Sequence, residues 1–368
     1  TLPGQVIGPG HNSVVRGPDN VQLYCIYHRW VDGERVLAID RLDFAGERLI
    51  VLGPSCTPQA RPNTPTLREA SAPPGTAWEL ATPSVVFEAT LRAATPEGGW
   101  YGVRLDGGRR QSVRMGIRMR DRALVVRHDR AEEHLHLPRA FDGTVDHLLR
   151  IELDGVRCHI MLDNLASQWD LRLPFEPSAV TLFDERAGAT FGGVEMTAGW
   201  SQLFTGPEET AADLGWQGDA GWRVMDGELV SPEEKLDSTM IVRETPAEEY
   251  EFIVNARLVH TEPGGGCGFI LAMPAGETGP MVTLGEHEGA WELTAGNDGS
   301  QSAWQLPHGF DPYLTQQWRF RVERDRVVVA REGNVLGELP LQGAGEFIGI
   351  AASHAVVAVE SVRVVALS

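Results

Sequence analysis

The chain has 368 residues, enough for two or three domains with full cores, and its 42% apolar composition fits a globular fold. Against 32 Lys and Arg stand 51 Asp and Glu, a formal charge of −19 that argues against nucleic acid or an anionic membrane as partner, because phosphate binding needs clustered cations. With 41 glycines and 23 prolines the sequence favours turns over long helices, and no transmembrane run or signal peptide is legible.

Residues 1–56 read as four short strands. Gly8-Pro9-Gly10-His11-Asn12-Ser13-Val14-Val15 delivers the chain into a β-branched run, and Leu23-Tyr24-Cys25-Ile26-Tyr27-His28-Arg29-Trp30 answers it across Pro18-Asp19-Asn20. Two more runs, Arg35 to Asp40 and Arg48 to Leu52, follow Asp32-Gly33 and Ala45-Gly46. Four antiparallel strands in this space have the size of one β-propeller blade. A single blade cannot bury both faces, so residues 1–56 are expected to lean on an N-terminal propeller fragment or a second chain, with Val14 and Ile26 exposed without it.

The string GPGHNSVV, the strand ending YHRW, then DRLDF and the exit GPSCTPQARP resemble the last blade of family 43 glycoside hydrolases. The resemblance covers residues 8–62 and implies a five-bladed propeller enzyme acting on arabinose- or xylose-containing polysaccharide, secreted and bacterial. Enzymes of that family invert configuration with an Asp base, an orienting Asp and a Glu acid on earlier blades. The chain does not contain those blades, so no catalytic residue is carried over. His11 matches the histidine of the family's GHN motif on the active-site floor, which binds calcium or another ion in several arabinan-cleaving members. Calcium prefers oxygen ligands, so two readings of His11 stand: metal ligand, or hydrogen-bonded structural histidine. His28 and Trp30 fit the packing alternation of their strand, with Trp30 as a sugar platform the second reading.

Residues 57–76, TPQARPNTPTLREASAPPGT, read as a linker lying on a surface, since proline removes backbone donors. Residues 77–200 alternate with period two in runs such as Val86 to Thr90, Tyr101 to Leu105, Val113 to Met119, Leu148 to Leu153 and Val180 to Phe183, separated by Gly and Pro turns, which makes a two-sheet antiparallel sandwich. Residues 201–368 repeat the plan. Val86 to Leu91 with Gly98-Gly99-Trp100-Tyr101-Gly102 parallels Phe252 to Leu258 with Gly264-Gly265-Gly266-Cys267-Gly268-Phe269, and His147 to Gly155 parallels Gln317 to Arg324. Ala189 to Met196 parallels Val356 to Val364. The expected fold is therefore all-β: one propeller blade plus two tandem sandwiches, which resemble the laminin-G or concanavalin-like (jelly-roll) domains that often follow family 43 propellers.

Sugars are held by aromatic faces and a few polar groups. Trp100 and Tyr101 in the first sandwich, and Trp291, Trp304 and Tyr313 in the second, are the candidate platforms, with core packing as the alternative for each. Trp216, Trp222 and Trp318 fit core positions. Arginines recur from Arg104 to Arg130 and are assigned to a solvated sheet face, and the acidic pairs Glu132-Glu133, Glu233-Glu234 and Glu248-Glu249 to solvated edges. Asp298 in Asn297-Asp298-Gly299 suits a calcium loop or a simple turn. Cys25, Cys56, Cys158 and Cys267 show no metal-ligand spacing. No carboxylate pair, nucleophile elbow, phosphate loop or HExxH helix is legible. The sequence thus supports part of a family 43-like glycosidase with accessory carbohydrate-binding sandwiches or, alternatively, a lectin-like protein or an assembly module.

Overall fold

The computed structural model describes residues 6–45, 48–55, 61–95, 99–108, 111–129, 131–163, 167–204, 209–233, 238–274, 279–297, 300–341 and 345–367. Cys56, Glu234 and Asp298 lie outside them. Among the described residues the only helical element is the turn Ala212–Leu214, and the rest is antiparallel strand and connection. They group into two compact units, one of Thr1–Gly17, Gln22–Pro62 and Ser201–Leu367, the other of Pro18–Val21 with Asn63–Trp200.

In the first unit the leading strands β1 (Ile7–Arg16), β2 (Leu23–Val31), β3 (Glu34–Ala45) and β4 (Arg48–Val51) form a sheet in sequence order. Asp32 and Gly33 both take positive φ, which gives the two-residue turn between β2 and β3 the twist its strands need. One face of the sheet closes on itself. Cys25, Tyr27 and Leu42 pack with Leu23 and Ala38, and Asp40 accepts hydrogen bonds from the Tyr27 hydroxyl at 2.5 Å and from the backbone and hydroxyl of Ser55 at 2.9 and 2.5 Å.

Side-chain alternation puts Tyr24, Ile26, His28 and Trp30 of β2 on the other face, opposite Arg41, Ile39, Leu37 and Arg35 of β3. Its Arg41 end is anchored on the second sandwich. Arg41 pairs with Glu251 at 2.5 Å, while Asp43 takes Arg319 at 3.3 Å and Arg363 at 2.7 Å. The Trp30 end is open, with Leu37 80% exposed and Ile39 exposed beside it. Val14 is exposed as the sequence predicts, whereas Ile26 is half-buried.

The sandwich of this unit is built on two long strands, Tyr250–Met273 and Phe347–Ala366, that bend from one sheet into the other at bulges. One sheet runs Asn334–Pro340, Arg326–Arg331, Gln316–Val322, the first half of Tyr250–Met273, the second half of Phe347–Ala366, Glu228–Val230 and Arg223–Met225. The other runs Ser300–Gln305, Ala290–Asn297, Met281–His287, the remaining halves of the two long strands, Thr239–Glu244 and Gln217–Gly218. The core lies between them, where Phe269 meets Phe320 at 5.0 Å and Trp318 at 5.8 Å. Trp216, Trp222 and Trp318 are buried, as their strand patterns predict.

In the second unit one sheet runs Ser167–Arg172, Arg157–Leu162, His147–Asp154, Ser84–Arg92, Thr190–Leu203 and Leu67–Ala72. Its mate runs Ala131–His136, Ala123–His128, Ser112–Arg118, Trp100–Asp106, Ala179–Glu185 and Ala77–Glu79. Phe87, Leu91, Ile151 and Phe191 from the first meet Tyr101, Met115, Ile117 and Leu182 from the second in one core. These six strands of each sheet follow the order of the other sandwich, which adds Arg223–Met225 to one sheet and Gln217–Gly218 to the other, so the three paired signatures in the sequence fall on matching strands. Residues 67–72, within the proline-rich stretch, form an edge strand paired with Thr190–Leu203, and prolines at 62, 65, 73 and 74 bound it.

Candidate functional site

The open end of the leading sheet is shaped by two bulges in β1. Between Ile7 and Gly10, and again between Gly10 and Ser13, β1 spends three residues where β2 spends two. Gly8 sits at φ +54°, and a Cβ there would lie 2.8 Å from Cδ1 of Trp30, so only glycine lets the indole lie against the strand. His11 takes φ 56°, a left-handed conformation that costs a non-glycine residue on the order of 1 kcal/mol. The bulge turns its exposed imidazole toward His28, with ring centroids 6.3 Å apart. A Cβ at Gly10 would rest 3.6 Å from the His28 ring, in ordinary contact. Trp30 is 39% exposed, and the Arg35 guanidinium lies 5.2 Å from its ring.

This cluster combines an aromatic surface, two imidazoles that accept or donate hydrogen bonds, and one guanidinium: groups that stack on and orient a hydroxylated ligand. The sequence pointed to His11 but assigned Trp30 chiefly to packing. What raises Trp30 is its position beyond the anchored end of β3, which strand alternation cannot disclose. As a calcium centre the cluster is poor. Calcium takes six to eight oxygen ligands, the ring beside His11 is another imidazole, and no group of three or more His, Cys, Asp or Glu among the described residues could hold a metal ion.

The other candidates fall on the sandwiches. Tyr101 is fully buried, with its hydroxyl donating to the Gly143 carbonyl at 3.2 Å, and burial pushes its pKa far above the usual value. A ring with no exposed face offers no platform, so Tyr101 is a core residue. Trp100, its chain neighbour, points to the outer side of the sheet. It is only 2% exposed because Phe183 meets it edge-on at 5.0 Å and the guanidiniums of Arg127 and Arg118 lie over it at 4.5 and 5.7 Å. Trp304 is half-buried on an edge strand, opposite Leu293, with its indole where a Cβ on Gly337 would be. Trp291 is half-buried against Phe310, and Tyr313 is exposed. Cys25, Cys158 and Cys267 are buried free thiols.

No family model matches the chain, and no curated protein matches it. Among solved structures it is similar to the catalytic domain of an endo-1,3-β-glucanase (laminarinase) from Thermotoga petrophila RKU-1, with 15% identity over 46% of this chain and 97% of that one and a TM-score of 0.37. It is likewise similar to an endo-β-1,3-glucanase from Pyrococcus furiosus (13%, 46% and 94%, 0.35) and to a Bacillus licheniformis β-glucanase (11%, 46% and 99%, 0.36). At such identities and TM-scores the likeness assigns neither activity nor substrate to this chain.

Proposed function

We propose that this chain is a carbohydrate-processing module: its leading sheet is one sector of a family 43-type propeller glycosidase, and its two concanavalin-like sandwiches are accessory domains. The observation that supports it most is the half-open face of that sheet. One end is locked to the second sandwich by part-buried ion pairs, while the other presents Trp30, His28 and His11 beside exposed Leu37 and Ile39. Exposed branched apolar residues next to hydrogen-bonding groups fit a surface that meets a second sheet and a sugar together. In this reading Trp30 takes the apolar face of an arabinosyl or xylosyl unit, and the imidazoles hold its hydroxyls. The acid and base of the inverting reaction come from the neighbouring sectors.

Calorimetric titration of the chain with arabino- and xylo-oligosaccharides tests it. Binding that Trp30→Ala weakens at least tenfold is expected; no heat with any of these sugars removes the support.

A second reading, a lectin-like protein without catalysis, is favoured by one observation. Among the described residues no carboxylate pairs with His11 or His28. Chromatography of the same oligosaccharides after prolonged incubation separates the two. Shortened products on joining the propeller sectors support a hydrolase, and intact sugar throughout supports the lectin.

A further inference from the structure

The outer face of the sheet that contains Trp100–Asp106, in the first sandwich, carries aromatic and arginine side chains that its counterpart in the second sandwich lacks. Pairing places Trp100 beside Arg118, and Arg104, Arg114, Arg127 and Glu132 in one row across four strands. Matching the two sandwiches strand by strand puts Trp100, Arg118 and Arg127 where the second copy has Gly266, Gly285 and Gly296, and Phe183 where it has Ala351. The same sheet therefore forms with glycine at three of these places; in the first copy Trp100 packs in a small buried cluster with Ala123, Val125 and Phe183 that the guanidiniums roof over, an arrangement the second copy lacks.

Charge points the same way. Residues 101–140 hold ten arginines against five Asp and Glu in a chain whose formal charge is −19. Most of the face's guanidiniums are engaged: Arg104 with Asp106 at 2.6 Å, Arg114 with Glu185, and Arg118 with Glu132 at 2.8 Å. Arg127 differs. It is stacked 4.5 Å from the Trp100 ring and lies 3.7 Å from Glu132 and 3.9 Å from Glu185, beyond hydrogen-bond reach, with its side chain 34% exposed. A part-exposed guanidinium held over an aromatic ring is a group suited to receive a carboxylate through parallel N–H bonds.

We infer that this face binds a carboxylate-bearing sugar, a uronic acid unit of an acidic polysaccharide, with Arg127 on Trp100 receiving the carboxylate. The inference rests on the carbohydrate reading above and adds the class of sugar and the place. Neutral hydroxyls could use the same donors, but a carboxylate would add a charge interaction with Arg127, whose own carboxylate neighbours, Glu132 and Glu185, stand at 3.7 and 3.9 Å.

The test is titration of the intact chain with a glucuronic-acid-substituted xylo-oligosaccharide and with the neutral oligosaccharide of equal length. The Arg127 side chain covers the Trp100 ring but makes no hydrogen bond among the described residues, so a melting curve of Arg127→Ala first checks that the fold is kept, with Arg127→Lys as the second variant. The acidic sugar is expected to bind at least tenfold more tightly, with an affinity that falls as salt rises. Arg127→Ala should abolish that preference, and Arg127→Lys, which keeps the charge and loses the fork, should restore only part of it. Equal affinity for the two sugars, or a preference that survives Arg127→Ala, overturns the inference while leaving the proposed function standing. If neither sugar binds, both fall.

Discussion

At the scale of single residues, the leading sheet is held to its unit by five clustered charges, three part-buried guanidiniums against two buried carboxylates. Burial by itself raises the pKa of Glu251, but Arg41 and Arg319 outweigh it and hold the group down to about 2 from the usual 4.5. Asp43 is held low in the same way, burial being outweighed by Arg363, Arg41 and Arg319. Burial and the like charge of Arg41 pull Arg319 down to about 10, so the network tolerates its third cation at a cost. Removing one partner of such a set leaves an uncompensated buried charge, and Asp43→Ala is expected to cost about 3–5 kcal/mol in denaturant unfolding. Because both carboxylates have folded pKa values below their unfolded ones, their stabilisation is complete above the ordinary carboxylate range and drains away as pH falls toward 2. Denaturation midpoints measured from pH 5 to 2 should therefore fall steeply, and in Glu251→Gln the fall should be shallower. Gly8→Ala forces both a left-handed backbone and a displaced indole, and should lower stability by about 1–2 kcal/mol in the same assay.

At the scale of elements, the hairpin signals, the Asp32-Gly33 turn and the period-two runs were all readable, because each depends on neighbours in sequence. The anchoring of the sheet was not. Arg41 and Asp43 look like ordinary outward-facing strand residues, and their partners lie more than 200 positions away. Burial of Trp100 was equally hidden. Gly98-Gly99 suggested an exposed turn, whereas the ring is covered by Arg118 from the adjacent strand and Arg127 from the one beyond it. The open flank of β3 gives a prediction of its own. Leu37 has no packing partner to lose, so Leu37→Glu should change the melting temperature little, within the roughly 0.5 kcal/mol of neutral surface changes. It should block any sheet that docks there; native mass spectrometry of wild type against the variant, mixed with the other propeller sectors, would read the loss.

At the scale of the whole molecule, one strand order used twice explains why the sequence repeat could be seen at about 170 residues' separation when almost no side chain is shared. Apolar alternation and glycine at close strand crossings recur because the fold demands them; the outer faces do not recur because the fold leaves them free. Function is to be sought where the copies differ and where the leading sheet stays uncovered. The most direct test is ¹⁵N NMR of the intact chain titrated with a neutral arabinoxylo-oligosaccharide. The account predicts shifts concentrated at His11, His28 and the Trp30 indole N–H, and none at Trp304. Shifts confined to the sandwiches, with those three resonances unmoved at saturation, would contradict it.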